Sequence, residues 1–123
     1  MVDLTKYRCV GCHGGESSLS PAQVQEHLAL VPDWRMEKRE GIPRLERIFT
    51  FPDFRSALAF AGRVGEAAEV EGHHPALLVE WGKVTVTWWT HATGGLHLND
   101  FIMAAKTDAL GAGVPPAEVP QRE

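Results

Sequence analysis

Cysteine is scarce in this chain: there are two in 123 residues, Cys9 and Cys12. That excludes the disulfide framework that staples very small secreted domains, which needs several pairs. No apolar run approaches the ~20 residues that a bilayer-spanning helix requires. The opening Met1-Val2-Asp3-Leu4-Thr5-Lys6 lacks the apolar core of a secretory signal. A cytoplasmic location is therefore expected, and two free thiols agree with it. A basic stripe is also missing. The formal net charge is -4, and Glu37 interrupts the densest basic stretch, between Arg35 and Arg39. Nucleic-acid binding draws its affinity from neutralised phosphates, so no nucleic-acid partner is expected. The acidic balance argues against an anionic membrane surface as well. Repeats and low-complexity tracts are lacking, which removes solenoids and disordered arrays.

What is present suits a single globular domain. Apolar residues make up 44% and charged residues 23% of the chain, and a domain of this size buries roughly two-thirds of its unfolded surface. Residues 1–19, rich in glycine and serine, read as an irregular arm carrying the CxxC pair. Ser20-Pro21 with Gln23 reads as a capped helix start, and Val24, Leu28 and Val31 give that helix an apolar stripe to about residue 30. Residues 34–38 and 44–51 read as strands of a hairpin joined by a Gly41-Ile42-Pro43 turn. Leu45, Ile48 and Phe49 depart from strict alternation in the second of them. The strongest helix opens at Pro52-Asp53, buries a face made of Phe54, Leu58, Ala61, Val64 and Ala68, and stops near Gly72 ahead of Pro75. Residues 77–80 and 83–89 form a second hairpin around Trp81-Gly82. A loop carries Gly94-Gly95, a last helix spans residues 100–110, and residues 112–123 read as a mobile tail. The expectation is a two-layer α+β fold, in the order α-β-β-α-β-β-α, with a four-stranded antiparallel sheet and three helices on one face.

The chemistry gathers at element ends. The chain holds six histidines. His73-His74 stands where the long helix must stop, His91 just beyond a strand, and Asp100 at the start of the last helix. Imidazoles titrate near neutral pH and can divide the roles of acid and base between them, while a carboxylate can orient one imidazole and stabilise its cation. This is a set suited to moving protons. Two histidines at a helix end can equally complement the negative end of the helix dipole. A metal is a third reading, although adjacent histidines rarely face one ion and no HExxH pattern occurs. Cys9-x-x-Cys12 followed by His13 reads as half a zinc knuckle, a redox pair or two free thiols, with no second CxxC to complete a structural site. Of Trp88 and Trp89, strand alternation sends one to the core and the other to the opposite face.

The run Glu69-x-x-x-His73-His74-Pro75, with Trp81 and Val84 after it, resembles the signature of the pterin-4a-carbinolamine dehydratases. Thr90-His91, Gly94-Gly95-Leu96 and Asp100 resemble the second half of that family's site, and Trp34 after Pro32-Asp33 matches an aromatic position before its first strand. The resemblance covers residues 19–111 and implies the same element order. It implies removal of water from a 4a-hydroxytetrahydropterin to give the quinonoid dihydropterin, which recycles the cofactor of aromatic amino acid hydroxylases. His73, His74 and His91 would then be catalytic. Glu69, Pro75, Trp34, Thr90, Thr93 and Asp100 would bind substrate or support the site. No metal or cofactor is implied, since the pterin is the substrate. A homodimer or homotetramer is implied, and a protein-binding role as a transcriptional dimerisation cofactor, or action on another pterin such as molybdopterin, stands as the alternative. One departure is His97, where the family carries Ser or Thr as a helix cap. His97 reads as a poorer cap, so that Asn99 or a shifted start would serve instead.

Overall fold

Ser20 accepts a hydrogen bond from the Gln23 backbone, and the Gln23 side chain accepts one from the Ser20 N–H, so the expected capping box starts the first helix with Pro21 in its first turn. The computed structural model describes residues 3–9, 19–90 and 95–111. After a short 3-10 turn at Leu4–Lys6, the order is α1 (Pro21–Leu28), β1 (Arg35–Arg39), β2 (Ile42–Thr50), α2 (Phe54–Glu71), β3 (Ala76–Glu80), β4 (Lys83–Trp88) and α3 (Leu98–Gly111). The sheet runs β1-β2-β4-β3, with every neighbouring pair antiparallel. Leu45 and Phe49 from β2 and Val84, Val86 and Trp88 from β4 meet Phe60, Val64, Phe101 and Ile102 from the helices in one core. This is the expected two-layer α+β fold.

The first hairpin turns earlier than expected. Arg39 pairs with Ile42, leaving a two-residue loop in which Glu40 and Gly41 both have positive φ (54° and 77°). That is a type I′ turn, whose twist matches the strands it joins. Ile42 and Pro43 belong to β2 instead of the turn. Pro43 lies ahead of Leu45, where pairing with β4 begins, so its missing N–H deprives no neighbour on that side. The broken alternation in β2 also has a cause. Arg47 points to the helix side, where it stacks over Phe49 and pairs with Asp108, while Ile48 is left exposed on the other face.

Two expectations need correction. In α2 the buried residues are Ala57, Phe60, Ala61, Val64 and Ala68, whereas Phe54 and Leu58 are 44% and 54% exposed. Phe60 decides the rotation, because its ring packs against both Phe49 and Phe51 at 4.8 and 5.1 Å between centroids. At 3.6 residues per turn, Leu58 then points away from the sheet. The N-terminal arm is not irregular throughout. Asp3 caps the Leu4–Lys6 turn and Leu4 is buried in the core. The buried Glu71 carboxylate, at the end of α2, clasps the segment by accepting from the Cys9 N–H at 2.8 Å and pairing with Arg8 at 2.8 Å and Lys106 at 3.7 Å.

Candidate active site

α2 stops as its sequence demands. Gly72 takes the left-handed conformation, with φ of 69°, and its N–H and that of His73 both close on the Ala68 carbonyl. Pro75 prevents any continuation. His73 and His74 thus sit on a short link between α2 and β3, and their side chains part company. His73 is 11% exposed, and its ring lies parallel to the Trp88 indole at 5.7 Å and 11°. Its Nε2 is 2.7 Å from Oδ1 of Asp100. His74 is 59% exposed, and its Nε2 meets the Glu69 carboxylate at 2.6 Å, one turn back along α2.

Asp100 is the hub. It is 0% exposed. Its Oδ2 accepts from the hydroxyl of Thr90, two residues past the end of β4, at 2.7 Å, and from the His97 backbone N–H at 3.0 Å, while Oδ1 takes His73. An ionised carboxylate can only accept, so the hydrogen it shares with His73 is the imidazole's own. Nε2 is thereby fixed as the N–H nitrogen, and Nδ1 is the atom left to exchange a proton. Asp100 also has a second duty. The His97 ring accepts the Asn99 N–H on Nδ1 at 3.0 Å. The His97 side chain on the Asn99 N–H and the Asp100 side chain on the His97 N–H form a reciprocal pair, a variant of the capping box in which the cap takes the second helical N–H in place of the third. His97 itself therefore stands at the cap, where Asn99 or a shifted start was expected to serve instead. An imidazole lone pair does the work of a hydroxyl, and α3 begins at Leu98, two residues before the expected Asp100. Beneath the site, the Trp88 indole donates to the Thr107 hydroxyl at 3.1 Å, which donates to the Met103 carbonyl at 2.6 Å, so the surface under His73 is itself held in place.

The family model for pterin 4 alpha carbinolamine dehydratase matches residues 17–110. "Putative pterin-4-alpha-carbinolamine dehydratase 1" of Gloeobacter violaceus is 56% identical over 113 residues, 92% of this chain and 97% of that protein. A protein of Chlorobaculum tepidum with the corresponding name is 54% identical over 110 residues, 89% of this chain and 99% of its own length. This chain belongs to the pterin-4-alpha-carbinolamine dehydratase family. Among solved structures, a transcriptional coactivator/pterin dehydratase from Brucella melitensis superposes with a TM-score of 0.68 at 31% identity, covering 76% of this chain and 98% of that one. A pterin dehydratase-like RuBisCO assembly factor of the alpha-carboxysome, at 24% identity and a TM-score of 0.53, shares the fold.

Of the residues that resemblance to the dehydratases singles out, the structure brings together His73, Asp100 and Thr90, and sets the His74–Glu69 pair on the adjoining surface with Pro75 leading into β3. Trp34 stands apart. It is buried, and its indole donates to Asp108 at 2.8 Å, a point about 12 Å along α3 from Asp100 at 1.5 Å per residue. His91, Thr93 and Cys12 lie outside the described residues. Cys9 has its N–H on Glu71 and its Sγ 3.9 Å from the Asn99 carbonyl. Among the described residues, no three His, Cys, Asp or Glu side chains are grouped so as to hold a metal ion. Sequence reasoning missed two contributors. His97 stands three residues before Asp100, the spacing of a capping box, so the signal was present in an unusual residue type. Strand alternation puts one of Trp88 and Trp89 in the core without saying which; it is Trp88, and nothing in that alternation signals that a histidine would stack on it.

Proposed function

We propose that this chain dehydrates a 4a-hydroxytetrahydropterin, a pterin carbinolamine, to the quinonoid dihydropterin, and so returns an oxidised pterin cofactor to use. The observation that carries this reading is the buried Asp100 bonded to His73. The reaction breaks the bond between C4a and its hydroxyl oxygen. One proton goes to the departing oxygen, one leaves N5, and the electron pair of the N5–H bond closes the C4a=N5 double bond. The sum is loss of one water. A neutral His73, with Nε2–H on Asp100 and a lone pair on Nδ1, suits the acceptor of the N5 proton. The Asp100 carboxylate then stabilises the imidazolium. His91 is assigned the proton for the leaving hydroxide, because hydroxide departs poorly unless protonated. The exposed His74, braced by Glu69, is assigned to substrate binding.

Replacing His73, His74 and His91 singly by alanine tests these roles, with ultraviolet absorbance following the dehydration of chemically generated 4a-hydroxytetrahydropterin. General acid–base groups contribute about 10²- to 10⁴-fold, so H73A and H91A should lose turnover on that scale, while H74A should chiefly raise KM. No acceleration by the unaltered protein would overturn the function. Loss of affinity with turnover intact in H73A would overturn the role given to His73.

A further inference from the structure

The start of α3 and the aim of His73 depend on one carboxylate. Asp100 Oδ1 holds Nε2 of His73, and Oδ2 closes the capping box on the His97 N–H. The other half of that box is the His97 ring, whose Nδ1 accepts from the Asn99 N–H. A backbone N–H can only donate, so Nδ1 of His97 must carry its lone pair for the box to exist. The box therefore demands one tautomer of His97 and, through Asp100, selects one tautomer of His73. The whole assembly is buried: His97, Asn99, Asp100 and Thr90 are all among the buried polar residues. Water cannot replace a lost partner there at low cost.

We propose that His97 is a positioning residue for the dehydration. Its ring caps the first turn of α3, the capped turn fixes where the Asp100 carboxylate stands, and Asp100 holds His73 as the Nε2–H tautomer with Nδ1 presented to substrate. This rests on the function proposed above, but the positioning itself can be read without substrate. An ordinary helix cap would be interchangeable with any exposed one and silent at the reacting group. Here the cap's reciprocal carboxylate is the same group that orients the proton acceptor, so loosening the cap must reach His73.

The test compares H97A, which removes the cap, with H97S, whose hydroxyl is a good one. Three readouts are needed: the melting temperature, kcat and KM separately, and the imidazole 15N shifts of His73, which report its tautomer. The unaltered protein should show His73 as the Nε2–H form. H97A should lower kcat about tenfold with KM changed far less, inside the roughly hundredfold loss that a misplacement of about 1 Å can bring. His73 should also become a mixture of tautomers in that variant. H97S should restore both kcat and the single tautomer. A lower melting temperature in H97A with kcat and the His73 shifts unmoved would overturn the proposal, because the cap would then serve stability alone. So would an H97S protein that melts like the unaltered one yet keeps the H97A defects. If H97A does not fold, H97S and H97N, two competent caps of different shape, carry the test: both should keep kcat and the single His73 tautomer, and either failing to do so overturns the idea. Should the unaltered protein not dehydrate the pterin, the 15N readout still decides the positioning, so the two failures remain distinct.

Discussion

The two oxygens of Asp100 serve three donors, and no surface water can take over from any of them, because the residue is fully buried. In D100N the amide group would place a donor against one of those donors and remove the charge that favours the His73 imidazolium. Turnover in stopped-flow absorbance should fall about 10²- to 10⁴-fold, the range for disabling an oriented proton-transfer group. Thermal melts should show a loss of about 1–3 kcal/mol for the unsatisfied group. Glu71 offers a separate test in acid. Burial pushes its carboxyl up, but the Cys9 N–H, the Arg8 guanidinium and the Lys106 ammonium outweigh burial and hold it below the usual value of 4.5. A carboxyl lowered in the folded state stabilises fully above its unfolded value and loses that contribution as pH falls through its folded value. Stability should therefore decline below about pH 4.5, and E71Q should show a shallower decline in chemical denaturation at stepped pH. Asp108 has the opposite sign. Burial raises its carboxyl above 3.8 in spite of Trp34 and Arg47, so its contribution improves as pH falls and cannot account for acid loss.

At the scale of elements, the end of α2 couples stability to the site. Gly72 has left-handed backbone, and a Cβ built on it meets nothing within 4 Å, so G72A should cost only conformational energy, about 1–2 kcal/mol. G72N should cost less, because asparagine tolerates that region. Calorimetric melts give the order, and activity should follow it because His73 is the next residue. Most elements could be read from sequence where a local rule has one outcome. Ser20, Pro21 and Gln23 specified the start of α1, and Gly72 with Pro75 specified the end of α2. Faces were harder. Phe54, Leu58 and Phe60 are all apolar, and only the presence of Phe49 and Phe51 across the interface decides that Phe60 turns inward. The candidate site was legible in its residue types, His73 and Asp100, which the structure brings to 2.7 Å, and only in part in its geometry. For Trp34 the sequence offers no hint of its hydrogen-bond partner, because tryptophan suits both a pocket wall and a buried hydrogen bond, and Asp108 is 74 residues away.

At the scale of the molecule, the N-terminal segment belongs to the fold. Leu4 is in the core, and Glu71 would lose the Arg8 guanidinium and the Cys9 N–H together if residues 1–9 were removed. Burial of one leucine side chain is worth about 1.5–3 kcal/mol. A chain starting at residue 10 should therefore melt distinctly lower than the full chain by differential scanning calorimetry. An unchanged melting temperature would show that the clasp adds nothing. Such a role was hidden in the sequence, since the glycine- and serine-rich stretch that follows it signals a loop and one leucine gives no periodicity. No helix among the described residues is long and apolar enough to cross a membrane.

The parallel contact between His73 and Trp88 has an optical consequence. A protonated imidazole against an indole face is a cation on a π-system, and it draws electron density from the excited ring, whereas a neutral imidazole does so far less. Emission from Trp88 should dim as His73 gains its proton, in the absence of any substrate. That pH-dependent component should vanish in both H73A and W88F. The protein would then carry an internal lamp whose brightness reports the charge state of its own proposed catalytic base.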